Sequence, residues 1–136
     1  MKQHLHIITL GVQDLEKSKM FYAETLGWTL SRPQEGIAFF QVGGVVLALF
    51  PRDELAKDAL VSPEGHGFAG IALAYNAQSE SEVDGIIRDL KAKGVKIIRE
   101  PQKVSWGGYS SYFADPDNFL WEVAYNPFFP YDENGN

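Results

Sequence analysis

His6 to Trp28 reads HIITLGVQDLEKSKMFYAETLGW, and the parsing of this stretch decides the fold. Its first part, His6–Val12 (HIITLGV), is short and rich in β-branched residues, which predicts a strand. Asp14 stands where its carboxylate can cap a following helix. Lys17 takes the place of the capping-box acid, so the start signal is half of the full motif. Leu15, Met20, Phe21 and Leu26 fall close to one helical stripe, and Gly27 is a natural stop. Strand, helix and stop therefore follow one another without a linker.

Working outward, the segments Trp28–Ser31, Ile37–Val42 and Val45–Phe50 predict three more strands, the last two joined by Gly43–Gly44 as a tight hairpin. Pro51 closes this β-α-β-β-β unit. Residues 52–67 (RDELAKDALVSPEGHG) are polar, with a short helical pattern followed by Pro and Gly, and read as a linker. The pattern then repeats. Phe68–Tyr75 (FAGIALAY) predicts a strand, and Ser79 or Ser81 a helix cap. Val83, Ile86, Ile87 and Leu90 mark a buried stripe, and Gly94 stops the helix as Gly27 did. Val95–Ile98, Tyr109–Phe113 and Phe119–Ala124 predict the remaining strands. Asp115-Pro116-Asp117-Asn118 is a turn, since Pro fixes φ and the Asx side chains bond nearby backbone.

A repeat of roughly 60 residues with helices and mainly antiparallel strands predicts an α+β fold. The expected architecture is two βαβββ modules whose sheets pair into a curved mixed sheet around a cleft. Module one covers 4–51, the linker 52–67, module two 68–126 and a tail 127–136, all in one domain. Two-residue alternation sorts the strand residues. Ile8, Leu10, Val12, Leu47, Leu49, Ile71, Leu73, Trp121 and Val123 should pack under the helices. The other face carries Ile7, Thr9, Val46, Ala48, Phe50, Gly70, Ala72, Leu120, Glu122 and Ala124. That face is smaller in side-chain bulk and holds one carboxylate, as an open cavity requires.

Composition excludes several function classes. The chain has 136 residues, 45% hydrophobic and 22% charged, which is one ordinary globular domain's worth. A net charge of −6 argues against a nucleic-acid partner, which needs clustered Lys and Arg. No apolar stretch approaches the ~20 residues of a membrane span, and MKQHLHIITL lacks a signal-peptide layout. With no cysteine there is no disulfide framework, zinc-thiolate site or thiol nucleophile, in keeping with a cytoplasmic protein.

Two motifs carry a family resemblance. Val12, Asp14, Leu15 and Ser18, followed by Phe21, Tyr22, Leu26, Gly27 and Trp28, resemble the opening of vicinal oxygen chelate proteins. Tyr112 to Val123 (YFADPDNFLWEV) resembles their closing hairpin, and Trp106-Gly107-Gly108-Tyr109 with Asn126-Pro127-Phe128-Phe129-Pro130 is similar to an uncharacterised branch. This superfamily takes in glyoxalase I, bleomycin resistance proteins, extradiol dioxygenases, methylmalonyl-CoA epimerase and fosfomycin-resistance thiol transferases. The resemblance implies the paired-module fold and, in many members, a homodimer. Fold transfers better than function.

The resemblance also implies four metal-ligand positions, which fall at Ile7, Ala48, Gly70 and Glu122. Only Glu122 could ligate, whereas a catalytic divalent ion generally needs about three protein ligands. His6 is one residue out of register, and a slip of one turns a strand side chain to the opposite face, unless a bulge turns His4 or His6 inward. His66 falls in the linker. The expectation is therefore no metal and no other cofactor, with one divalent ion as the alternative.

Glu122 has two readings. A lone carboxylate in an apolar cleft is raised by desolvation and can serve as a general base beside a carbonyl. Alternatively Glu122 is a relic that hydrogen-bonds Thr9, Tyr109 or another hydroxyl. Trp28, Phe39, Phe50, Trp106, Tyr109 and Trp121 are core by default, although Phe50 has cavity parity and Trp106 lies in a loop that can overhang it. The expected ligand-binding set is Thr9, Phe50, Ala72, Trp106, Tyr109 and Glu122, with Glu122 the candidate catalytic residue. The function expected is metal-independent binding of a small, partly apolar molecule. A metal-dependent lyase, isomerase or dioxygenase is the alternative, and a non-catalytic structural or interaction dimer the third. The apolar run Phe128-Phe129-Pro130-Tyr131 could pack on its own sheet or on a neighbour.

Overall fold

A computed structural model describes residues 1–128, and the chain divides into two compact units, Met1–Gly67 and Phe68–Asn136. Each builds one four-stranded mixed sheet with helical cover, an α+β arrangement.

In the first unit β1 is Ile7–Val12, β2 Leu30–Arg32, β3 Ala38–Val42 and β4 Val45–Pro51, with α1 at Leu15–Met20 and α2 at Arg52–Asp58. The sheet order is β1-β4-β3-β2, with β1 parallel to β4 and the other pairs antiparallel. Asp14 caps α1 as expected, its carboxylate accepting from the Lys17 amide at 3.0 Å. The helical stripe differs from expectation. After Met20 the chain widens into a π-helical turn over Phe21–Thr25, which rotates later side chains relative to an α-helix. Tyr22, within that turn, is buried, as is Ser18 in α1, and Met20 is 53% exposed. Tyr22 sits 5.8 Å from the Phe40 ring and 5.6 Å from Trp28, on the face that Leu10, Val12, Leu47 and Leu49 also fill. Burying each such side chain contributes about 1.5–3 kcal/mol.

In the second unit β5 is Ala72–Ala77, α3 Glu80–Ala92, β6 Lys96–Lys103, β7 Tyr109–Ala114 and β8 Leu120–Tyr125. The order β5-β8-β7-β6 repeats that of the first sheet, again with one parallel pair, β5 with β8. Ser79 is the cap, accepting from the Glu82 amide at 3.1 Å. Val83, Ile87 and Leu90 are buried; Ile86 is only half-buried. Val123, Phe113 and Trp121 line the same core, the last two rings stacked at 6.2 Å. In the turn between β7 and β8 the Asp115 carboxylate accepts from the amides of Asp117 and Phe119 at 2.9 and 2.8 Å.

Two strand boundaries depart furthest from expectation, the others by two residues at most. β5 begins at Ala72 rather than Phe68, because Gly70 has φ +75, a left-handed conformation that no extended strand contains. Gly70 and Ile71 therefore precede the strand. β6 runs past Ile98 through Pro101 to Lys103, as an edge strand whose register shifts twice against β7. Phe128 is exposed and its ring lies against Gly107, while Phe129, Pro130 and Tyr131 fall outside the described residues.

Candidate functional site

The faces read from alternation recur in the structure. In the second unit Tyr75 and Tyr109 turn towards α3, where their hydroxyls donate to Glu82 and Asp84, each at 2.8 Å. Their strand neighbours must point the other way. On that helix-free face the register sets Ala74 beside Glu122, Glu122 beside Tyr112, and Tyr112 beside Arg99. Neighbouring strands are about 4.8 Å apart, so the polar part of this row spans roughly 10 Å from Glu122 to Arg99.

The row is chemically connected. Glu122 stands beside Tyr112 in the register, and Tyr112 is held above its ordinary value by burial first, then by the Glu122 charge, with Arg99 opposing the shift. Tyr112 is therefore a neutral donor across the physiological range. The Arg99 guanidinium lies 4.9 Å from the Tyr112 ring centre, a cation–π arrangement, and donates through Nη2 to Ser110 Oγ. Ser111 Oγ, on the other face, donates to the Arg99 carbonyl at 2.6 Å and fixes the strand that carries it. The Arg99 Nε–H is buried without an acceptor. Leaving such a donor unsatisfied costs about 1–3 kcal/mol, so this rotamer is not the side chain's best state.

Trp106 extends the same face. A methyl group on Gly108 would stand 1.8 Å from Cζ3 of Trp106, so the indole occupies the space that any side chain at 108 would need. Gly108 shares the parity of Ser110 and Tyr112, which puts the indole at the end of the row, beside Ser110. Its outer surface leaves Trp106 46% exposed.

Tyr109, expected among the ligand-binding residues, faces α3 and Asp84 instead, away from Glu122. The hydroxyl-bearing residue beside Glu122 in the register is Tyr112, which the sequence does not single out, and the same holds for Arg99. Pairing β7 and β8 through the Asp115–Asn118 turn points to Tyr112, whereas Arg99 lies on β6, whose register against β7 shifts twice and leaves no such signal. Ala72 is exposed on the helix-free face, two residues before Ala74. Thr9 and Phe50 belong to the first sheet. Thr9 pairs with Ala48 and is exposed, and Phe50 pairs with Gly11 and is half-buried. His6 precedes β1, an edge strand of its sheet, is exposed, and its ring meets His4 at 4.4 Å. His66 is exposed in the segment after α2.

The donor set does not fit a divalent metal. Ile7, Ala48 and Gly70 offer no ligand atoms, and among the described residues no three His, Asp or Glu side chains gather where an ion could be held. No helix among the described residues is long and apolar enough to cross a membrane.

Comparison with known proteins places this geometry among relatives. The model of the Glyoxalase/Bleomycin resistance protein/Dioxygenase superfamily matches residues 4–123. Fosfomycin resistance protein FosX of Listeria monocytogenes is 33% identical, over 85% of this chain and 84% of its own. The uncharacterised protein YraH of Bacillus subtilis is 30% identical, over 85% and 93%. Among solved structures, a glyoxalase-related enzyme from Fulvimarina pelagi superposes with a TM-score of 0.90 at 36% identity, covering 99% of this chain and 96% of that one.

Proposed function

The chain belongs to the glyoxalase/bleomycin resistance protein/dioxygenase superfamily, and from that premise we propose that it binds a small, partly apolar molecule without a metal ion, on the helix-free face of its second sheet. The observation that carries this reading is the row Glu122–Tyr112–Arg99, three polar groups in register on a face that also carries Ala72, Ala74, Ala124 and Leu120. A few convergent polar groups on an apolar wall are what a small-molecule site uses to orient its ligand. Relatives named for fosfomycin resistance support a small-molecule role.

One observation favours a catalytic variant of the same reading. Catalysis by Glu122 alone would lack a partner, and Tyr112 supplies one as a neutral donor beside a carboxylate. Glu122 could take a proton from carbon while Tyr112 donates to the oxygen that gains charge. The pair makes proton transfer next to a carbonyl the reaction class to test. Homodimerisation belongs to the proposal too: β1 and β5 each keep one unpaired edge within their sheets, and Ile7 is 51% exposed.

The test is a ligand screen by thermal shift on protein of measured metal content, before and after chelation. Binding that survives chelation is expected, with Tyr112→Phe weakening it about tenfold through the lost hydrogen bond, near 1.4 kcal/mol. Glu122→Gln should abolish any turnover while leaving much of the binding. A tightly held divalent ion whose removal ends binding would overturn the proposal.

A further inference from the structure

We propose that the ligand of this face is a small planar molecule carrying an oxyanion, its anionic group held by Arg99 and its flat apolar body stacked on Trp106. The inference rests on the binding reading above and adds the ligand's charge and shape.

The charge follows from Arg99. Among the described residues no carboxylate stands within ion-pair distance of its guanidinium; its contacts are a neutral hydroxyl, Ser110, and an aromatic ring, Tyr112. A half-buried guanidinium without a counter-ion has given up water and gained little charge compensation. Its Nε–H is closed off and unpaired in this rotamer. An oxyanion arriving over Ser110 draws the guanidinium outward, offers Nε–H an acceptor, and can take the planar fork in two parallel hydrogen bonds. Glu122 does not forbid this. It lies two strands from Arg99 along the row, with Tyr112 standing between them.

The shape follows from Trp106. The indole occupies the space that a side chain at Gly108 would need, so its six-membered ring is held against backbone while the residue stays 46% exposed. A second aromatic ring, Phe128, lies on Gly107 next door, where a methyl group would meet Cε2 at 2.9 Å. Consecutive glycines here serve to seat two aromatic rings at the end of the row. Alternate residues on an extended chain are about 6.8 Å apart, so positions 108 and 110 stand about one substituted aromatic ring's length from each other. Stacking on a preset indole selects for planarity.

The experiment titrates the full chain with four probes of similar size: benzoate, phenylphosphonate, benzamide and benzylamine. Affinity is read by calorimetry, and the Arg99 Nε–H resonance by heteronuclear NMR. The two anions should bind at least tenfold more tightly than benzamide and shift the Arg99 Nε–H signal, with benzylamine weakest. Which anion wins tells a carboxylate ligand from a phosphonate or phosphate one. Arg99→Gln should erase the preference for anions, and Arg99→Lys should keep part of it as a check on folding. Trp106→Leu should weaken benzoate and benzamide alike, by about fivefold, and leave their ratio unchanged. If benzamide or benzylamine binds as well as the anions while perturbing Tyr112 or Glu122, the charge assignment fails and the binding face stands. If no probe perturbs this face, both fail.

Discussion

The two sheets have the same strand order and the same mixed pairing, yet equivalent rows across them differ in chemistry. In the first sheet the row runs Thr9, Ala48, Phe39, Arg32; in the second it runs Ala74, Glu122, Tyr112, Arg99. An arginine ends both. Between the edges, alanine and phenylalanine in one sheet stand where a carboxylate and a phenol stand in the other. Arg32 is exposed and lines a surface groove of about 420 Å³ with Lys19 and Glu35, whereas Arg99 is drawn down onto Tyr112 and Ser110. The repeat thus supplies a scaffold twice and a connected polar row once. Architecture tolerates either filling, because the helix-facing residues hold each unit together.

That contrast can be broken most sharply by exchanging the row centres. Ala48 is fully buried, and Phe39 beside it has no hydroxyl. Ala48→Glu should cost about 3–5 kcal/mol in urea unfolding, as an unpaired buried charge does. Adding Phe39→Tyr should recover about 1–2 kcal/mol of that by setting a phenol donor beside the new carboxylate, as Tyr112 stands beside Glu122. Glu122→Ala, the reverse change, should alter stability by under about 1 kcal/mol, since Glu122 is only half-buried. A tolerated Ala48→Glu would mean that the two rows differ by history rather than by environment.

The helix caps should respond equally. Asp14→Ala and Ser79→Ala each remove one side-chain acceptor from a first-turn amide and should each cost about 1 kcal/mol. Unequal losses would show that the π-helical turn after α1 makes the first helix depend more on tertiary packing.

The smallest effect is alkaline. Tyr75, Tyr109 and Tyr112, all in the second unit, are raised above the ordinary 10.0. For Tyr75 and Tyr109 the first cause is the hydrogen bond to Glu82 or Asp84, and for Tyr112 it is burial. The unfolded chain releases these protons first, so their stabilising effect is complete below pH 10 or so and falls as pH climbs through that value. Hydrogen exchange compared near pH 9 and pH 11 should show amide protection declining more in β5, β7 and β8 than in β1 and β4. Equal decline in both sheets would refute a role for the tyrosine pairs.

Much of this was legible along the chain. Alternation in β1, β4 and β8 sorted Ile7, Ala48 and Glu122 onto one kind of face, because strand parity is a local property of the backbone. Asp14 and Ser79 announced their helices, since a cap bonds to an amide three residues away. Gly27 and Gly94, both at positive φ, ended the first helical segment and α3 as read. The misses have one cause. The π-helical turn that buries Tyr22, the left-handed Gly70 that delays β5, and the register shifts in β6 each break a period, and a periodic reading carries its error forward from there.

What the sequence by itself determined was the repeated α+β unit, the alternation of faces along β1, β4 and β8, and the absence of ligand side chains at Ile7, Ala48 and Gly70. Only the tertiary structure decided who meets Glu122. Tyr112 and Arg99 reach it through antiparallel register and an irregular edge strand, and such pairing links residues 10 and 23 positions away from Glu122 in the chain. Trp106 joined them because Gly108 left room for its ring. Neighbours along the chain set the faces, whereas hydrogen bonding between strands assembled the chemistry on them.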